Sequence, residues 1–227
     1  MAALGASLVG GQPDVASGLT NPASLLHDRG ELAAAEVPYP QGLEMRRRLV
    51  PGDHADVANS LNNLGLLLKQ RGDSEAAETL YRQSLAMHRS LFPGDHPSVA
   101  NSLNSLAGVL LGRADFAGAH LLLQECAAMY GRVNGPNDSL TGNARLRLGR
   151  ALLGLDRFAE AEAELVDAER VLSTAQGTPR VAHRKCLEGL VLLYESWNAA
   201  EPGNRHDAKV AEWKARLDAA SATPGGT

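Results

Sequence analysis

An internal repeat constrains this chain more than any other feature. Val57-Ala58-Asn59-Ser60-Leu61-Asn62 returns as Val99-Ala100-Asn101-Ser102-Leu103-Asn104, and Pro51-Gly52-Asp53-His54 returns as Pro93-Gly94-Asp95-His96. Both pairs are 42 residues apart. Two separate segments sharing one offset mean that one supersecondary unit is used more than once. The offset extends both ways. One period on, Asn143, Leu148, Gly149, Leu152 and Ala161 stand under Asn101, Leu106, Ala107, Leu110 and Ala119. One period back, Val15-Ala16, Leu19, Leu26, Arg29-Gly30, Tyr39, Leu43 and Met45 stand under Val57-Ala58, Leu61, Leu68, Arg71-Gly72, Tyr81, Leu85 and Met87. The expected organisation is a flexible start (1–10), a degenerate unit (11–52), three units (53–94, 95–136, 137–178), an atypical capping unit (179–219) and a flexible tail (220–227).

Each unit reads as two helices. Val57, Leu61, Leu64 and Leu68 recur at i, i+4, i+7 and i+11, which is one face of a helix. Arg71-Gly72-Asp73 breaks it, and Ala76, Ala77, Leu80, Tyr81 and Leu85 form the stripe of a second helix. Composition agrees: 44% of residues are hydrophobic but only 4% aromatic, so the core must be built on Leu, Ala and Val, which suits helices better than sandwiches or barrels. A lone hairpin leaves half its apolar surface exposed, so neighbouring hairpins must stack. The first unit departs from this pattern, with Pro22 in its first helix and Pro38 and Pro40 in its second, where interior prolines are expected to break the helix. The fourth puts Arg145 where Leu61 and Leu103 stand. In the fifth, Leu187, Leu190 and Tyr194 mark one helix, and Val210, Trp213 and Leu217 another beyond a polar interruption.

The spacing Leu61-x2-Leu64-Gly65-x2-Leu68, then Ala77-x3-Tyr81, then Pro93 resembles the tetratricopeptide repeat (TPR). The 42-residue period with a Pro-Gly-Asp-His connection resembles the kinesin-light-chain subfamily. The resemblance implies an all-α fold: an α-solenoid, a right-handed superhelix of about four or five stacked antiparallel hairpins. It also implies a non-catalytic scaffold that binds a peptide or protein segment in a concave groove lined by the first helix of each unit. Carried over position by position, the groove residues are Asn59, Asn62, Asn63, Leu66, Lys69 and Gln70; Asn101, Asn104, Ser105 and Leu111; and Asn143, Leu146, Arg147 and Arg150. Asn is a mediocre helix former, yet its carboxamide offers two donors and an acceptor, which suits clamping a peptide backbone. The alternative is that Asn is inherited with the unit and is solvated or caps a helix. Lys69, Arg147 and Arg150 suit a ligand with an acidic residue or free carboxylate, or are simply solvated surface.

Other chemistry finds little support. His54 and His96 each follow an Asp one period apart, which permits a metal or general-base reading or, more simply, a helix-capping one. Cys126 and Cys186 form neither a disulfide framework nor a zinc set and read as buried thiols in a cytoplasmic protein. No phosphate-binding loop, zinc-protease helix or nucleophile elbow is present, so no cofactor or metal is expected. The net charge of -4 gives no global pull toward nucleic acid or an anionic membrane, and Arg46-Arg47-Arg48 reads as a solvated helix face. Competing readings are an interaction fragment of a larger kinase or nucleotide-dependent signalling protein, and a hydrolase using His54 and His96. Self-association through the N-terminal end is a further expectation if the first unit frays.

Overall fold

The structure is a computed structural model, and it describes residues 38–50, 52–175, 180–202 and 206–222. The expectations for residues 1–37, Pro22 included, lie outside the described residues. Nine helices are present among those described, with no strand: α1 (Pro38–Leu49), α2 (Ala55–Gln70), α3 (Ser74–Leu91), α4 (Pro97–Gly112), α5 (Phe116–Val133), α6 (Ser139–Leu153), α7 (Phe158–Thr174), α8 (Arg180–Ala200) and α9 (Asp207–Ala222). The chain divides into two compact halves, the boundary falling between Val109 and Leu110 within α4.

Pro38 and Pro40 both lie within α1, which is described from Pro38 onward. At the other end, α9 runs to Ala222, into the stretch expected to be a tail, and Ser221 bonds back to the Leu217 carbonyl at 2.9 Å.

Within the first half, Leu43, Val57 and Leu61 form a buried cluster extended by Val50, Leu64, Leu80 and Met87, so that α1, α2 and α3 share one apolar seam. Gly65 lets α2 approach α3: a Cβ there would stand 3.0 Å from the Tyr81 ring. Repeated side-chain contacts tie second helices to the first helix that follows. Arg46 on α1 donates to Ser60 Oγ on α2 (2.5 Å), and one period later His88 on α3 meets Ser102 on α4 (2.8 Å).

In the second half, Gly149 plays the part of Gly65, facing Leu165 across α6 and α7. Arg145, at the position of Leu61 and Leu103, turns to α7 and pairs with Asp167 (2.8 Å) and Glu164 (3.2 Å). Burial raises the pKa of Glu164 above the ordinary carboxylate range, and the Arg145 charge opposes that shift. On the other side of α7, α8 buries Leu187, Leu190, Leu193 and Tyr194. The terminal helix α9 is held by the buried Trp213, by an Arg216–Glu169 ion pair and by Lys214–Glu195 at 2.6 Å.

The turns show how the repeat drifts. Gly72 (φ +89), Ala114 (φ 58) and Asp156 (φ 56) occupy one left-handed position, 42 residues apart. Only the first is the residue type that adopts this region freely. Asp73 and Asp115 then cap α3 and α5 through bonds to Ala76 N (3.1 Å) and Gly118 N (2.9 Å), whereas Arg157 gives α7 no side-chain cap. Ala114→Gly is expected to raise stability by about 0.5–1 kcal/mol, the residual strain relieved after the entropy cost of glycine, read as a higher urea midpoint with an unchanged slope.

Candidate functional site

Most of the groove residues read from the sequence lie on exposed or half-covered helix faces. On α2, Asn59 and Gln70 are exposed, Leu66 is 37% exposed, and Asn62, Asn63 and Lys69 are half-buried. The positions 59, 62, 63, 66 and 70 share a helix face, but Asn62 is not simply presented to solvent: its Oδ1 is buried without a hydrogen-bond partner among the described residues. On α4, Asn101 is exposed, and Asn104, Ser105 and Leu111 are half-buried.

On α6 the side chains divide. Asn143 donates its amide to the Ser139 carbonyl one turn back (2.8 Å), a bond that satisfies the carboxamide within its own helix. Leu146 is a correction: it is 5% exposed, and its Cδ1 lies 3.8 Å from where a Cβ on Gly189 would stand, so it packs toward α8 instead of facing a ligand. The half-buried Arg147 lies close enough to Cys126 and Tyr130 on α5 for its charge to act on both. Arg150 is exposed.

Arg150 and Leu111 belong to a cleft of about 570 Å³ in the second half of the chain. Leu153 and Gly154 come from the end of α6, Phe116 from the start of α5, and Lys185, Glu188, Gly189 and Leu192 from α8. The apolar part includes Leu192, 53% exposed, which is unusual for a leucine on a helix whose other leucines are buried. Two cations, Arg150 and Lys185, line the same cleft. Among the described residues neither side chain has an ion pair or hydrogen bond, while Glu188 is paired with Arg184 at 3.5 Å. Glycine shapes the wall: a Cβ on Gly154 would fall 2.4 Å from the Phe116 ring.

The α8 residues of this cleft, Lys185 and Leu192, were missed by sequence reasoning because residues 179–219 read as a cap. The signal was available. Leu192 falls out of step with the buried series Leu187, Leu190, Leu193 and Tyr194.

The remaining candidates have structural roles. His54 and His96 cap α2 and α4: their Nδ1 atoms accept from Asp56 N (3.2 Å) and Ser98 N (3.1 Å). Asp138, one further period on, caps α6 in the same way through Leu140 N (2.8 Å). Burial pushes the Cys126 and Cys186 thiols up to about 12, with smaller opposing effects from Arg147 and Arg216, so neither is a thiolate at neutral pH.

Tetratricopeptide-repeat family models match residues 14–90 and 99–139, together just over half of the chain. The chain belongs to the TPR family. No curated protein matches its sequence. Among solved structures, BtubC (BKLC) from P. vanneervenii is similar with a TM-score of 0.75 at 18% identity, over 95% of this chain and 84% of that one. A Podosopora anserina putative kinesin light chain with nearly identical TPR-like repeats gives 0.71 at 20%, over 92% and 96%. Pseudomonas aeruginosa pilF gives 0.63 at 17%, over 96% and 79%. At these identities the likeness is one of fold, a TPR solenoid of the kinesin-light-chain-like type. TPR arrays serve generally as protein-interaction scaffolds. No described helix is long and apolar enough to cross a membrane.

Proposed function

We propose that this TPR protein is a non-catalytic scaffold that binds an extended peptide segment in the cleft between α6 and α8. The ligand would carry a large apolar side chain beside a carboxylate. The observation behind this reading is the combination of an exposed leucine with two cations that have no partner among the described residues, around a pre-formed cleft. An exposed apolar side chain in a concavity stabilises a complex by leaving water, and a carboxylate between Arg150 and Lys185 gains charge-assisted hydrogen bonds. The Asn-rich faces of α2 and α4 are ancillary in this reading, since the side-chain oxygens of Asn62 and Asn104 are buried.

The test is a displayed library of random peptides selected on the full chain. Enriched sequences are expected to pair an apolar residue with Asp, Glu or a free C-terminus. A selected peptide should then bind Arg150→Gln/Lys185→Gln at least tenfold more weakly, about 1.4 kcal/mol, with a shallower salt dependence. Asn62→Ala/Asn104→Ala should stay within about twofold, roughly 0.4 kcal/mol. Unchanged affinity in the charge variant together with a large loss in the asparagine variant would return the site to α2 and α4.

A further inference from the structure

A line of buried polar side chains crosses the otherwise apolar junction of α3 with α2 and α4. Ser84 Oγ donates to the Ala58 carbonyl (2.8 Å), Ser102 Oγ lies 3.3 Å from Ser84 Oγ, and His88 Nδ1 lies 2.8 Å from Ser102 Oγ. Ser84, His88 and Ser102 are all at most 2% exposed. The proton positions follow in sequence. Ser84 gives its single proton to Ala58, so it accepts from Ser102. Ser102 has then used its own proton, so it accepts from His88. His88 is therefore the Nδ1–H tautomer, and its Nε2 is a bare lone pair, buried and without a partner among the described residues.

A second histidine lies on the same junction. The rings of Phe92 and His96 stack at 3.7 Å and 5°, and Phe92 stacks in turn against His88 at 6.1 Å. His96 uses its Nδ1 lone pair to cap α4. Among the described residues, α2 presents the Ala58 carbonyl to this line, α4 the Ser102 hydroxyl and the connection Phe92, and His96 is the charge that acts on His88. The neighbours Arg89 and Asp95 are exposed.

We propose that His88 and His96 form an acid-opened latch on the α3–α4 junction. A proton on His88 Nε2 creates a buried cation with no acceptor. A proton on His96 Nδ1 removes the acceptor that caps α4, and the two cations then face each other across one phenyl ring. Burial, followed by the charge of His96, holds the His88 pKa below its ordinary value of 6.5. The opened state, with an ordinary histidine, therefore binds more protons than the closed state once the pH falls below about 6.5. The latch is closed at pH above that value and weakens as the pH falls, the opening constant rising by up to about tenfold per pH unit for each proton taken up.

The test uses the full chain. Imidazole nitrogen NMR at pH 7.5 should show His88 as the Nδ1–H tautomer. Between pH 7.5 and 5.0, amide exchange corrected for intrinsic rates should accelerate at least tenfold in the C-terminal half of α3 and the first turns of α4, relative to α6 and α7. His88→Asn/His96→Asn should abolish that difference, because Asn at 96 retains a cap acceptor and neither residue titrates. Should the double variant not fold, His96→Asn alone should reduce the acceleration. An Nε2–H tautomer at neutral pH, equal acceleration in all helices, or acceleration that persists in the substituted chain would overturn the latch.

Discussion

Leu165→Ala is expected to destabilise the chain by about 4 kcal/mol, near the upper end for a buried leucine truncation. Leu165 is fully buried on α7, and its side chain serves two interfaces at once. Toward α6 it fills the space left by Gly149, where a Cβ would stand 2.6 Å from Leu165 Cγ. Toward α8 its Cδ2 lies 3.4 Å from a Cβ position on Gly189, and its carbonyl accepts the Cys186 thiol at 3.4 Å. Surroundings fixed from both sides cannot collapse into the cavity, which is what makes such truncations costly. The same geometry predicts a coupling. Gly149→Ala gains about 1 kcal/mol of helix propensity but overpacks against Leu165 and the Ala161 carbonyl, at a cost of about 1–3 kcal/mol. In a Leu165→Ala background the severe contact is gone and only the Ala161 carbonyl, 3.3 Å away, still touches the added methyl. The double variant should therefore be at least about 1 kcal/mol more stable than additivity allows. Urea unfolding of the four chains measures the coupling directly, and an additive result would show that Gly149 and Leu165 do not constrain each other. Gly131→Ala is the control. Its nearest contact is Thr141 Cγ2 at 4.0 Å, so only the propensity gain of about 0.5–1 kcal/mol remains.

These glycine–leucine contacts show why the fold is legible from residues alone. Gly65 with Tyr81 and Gly149 with Leu165 are repeats of one pairing of small against large, spaced identically. Hairpin packing depends on such local periodicities, which the sequence displays directly. The places where reading failed involve information that periodicity lacks. Leu146 was placed in the groove by its register, but a neighbour carrying Gly189 makes room for it in the core. The groove asparagines at two different repeat positions are chemically distinct: Asn143, at the position of Asn59 and Asn101, bonds within its helix, and Asn62, at the position of Asn104, has its carbonyl oxygen buried. The cleft was half visible, through Arg150 and Leu111. Its other wall, Lys185 and Leu192, belongs to the element whose repeat signature had drifted furthest, and only side-chain exposure marks it.

The C-terminal helix offers a different kind of test, because a solenoid can lose its end without losing its middle. Among the described side chains of α9, only Trp213 is buried, at 4% exposure, and the Arg216 guanidinium lies 4.4 Å over its ring. Truncating a buried Trp to Ala costs about 3–5 kcal/mol. The other holds include the exposed Lys214–Glu195 pair, which contributes about 0–1 kcal/mol, the Asn198–Asp207 hydrogen bond at the start of the helix, and the pair of Arg216 with the buried Glu169, a carboxylate that also meets His183. A free helix of 16 residues with this mixed composition is marginal in water. Trp213→Ala should thus undock and melt α9 in an otherwise folded chain. Amide protection in α9 should fall by at least a hundredfold, about 2.7 kcal/mol. Helical circular dichroism should drop by up to those 16 residues, while α6 and α7 keep their protection. Arg216→Ala, which leaves the indole buried, should change α9 protection by less than tenfold. If α9 stays protected in Trp213→Ala, the ion pairs hold it; if all helices lose protection together, α9 is an integral part of the cooperative core and not a separable cap.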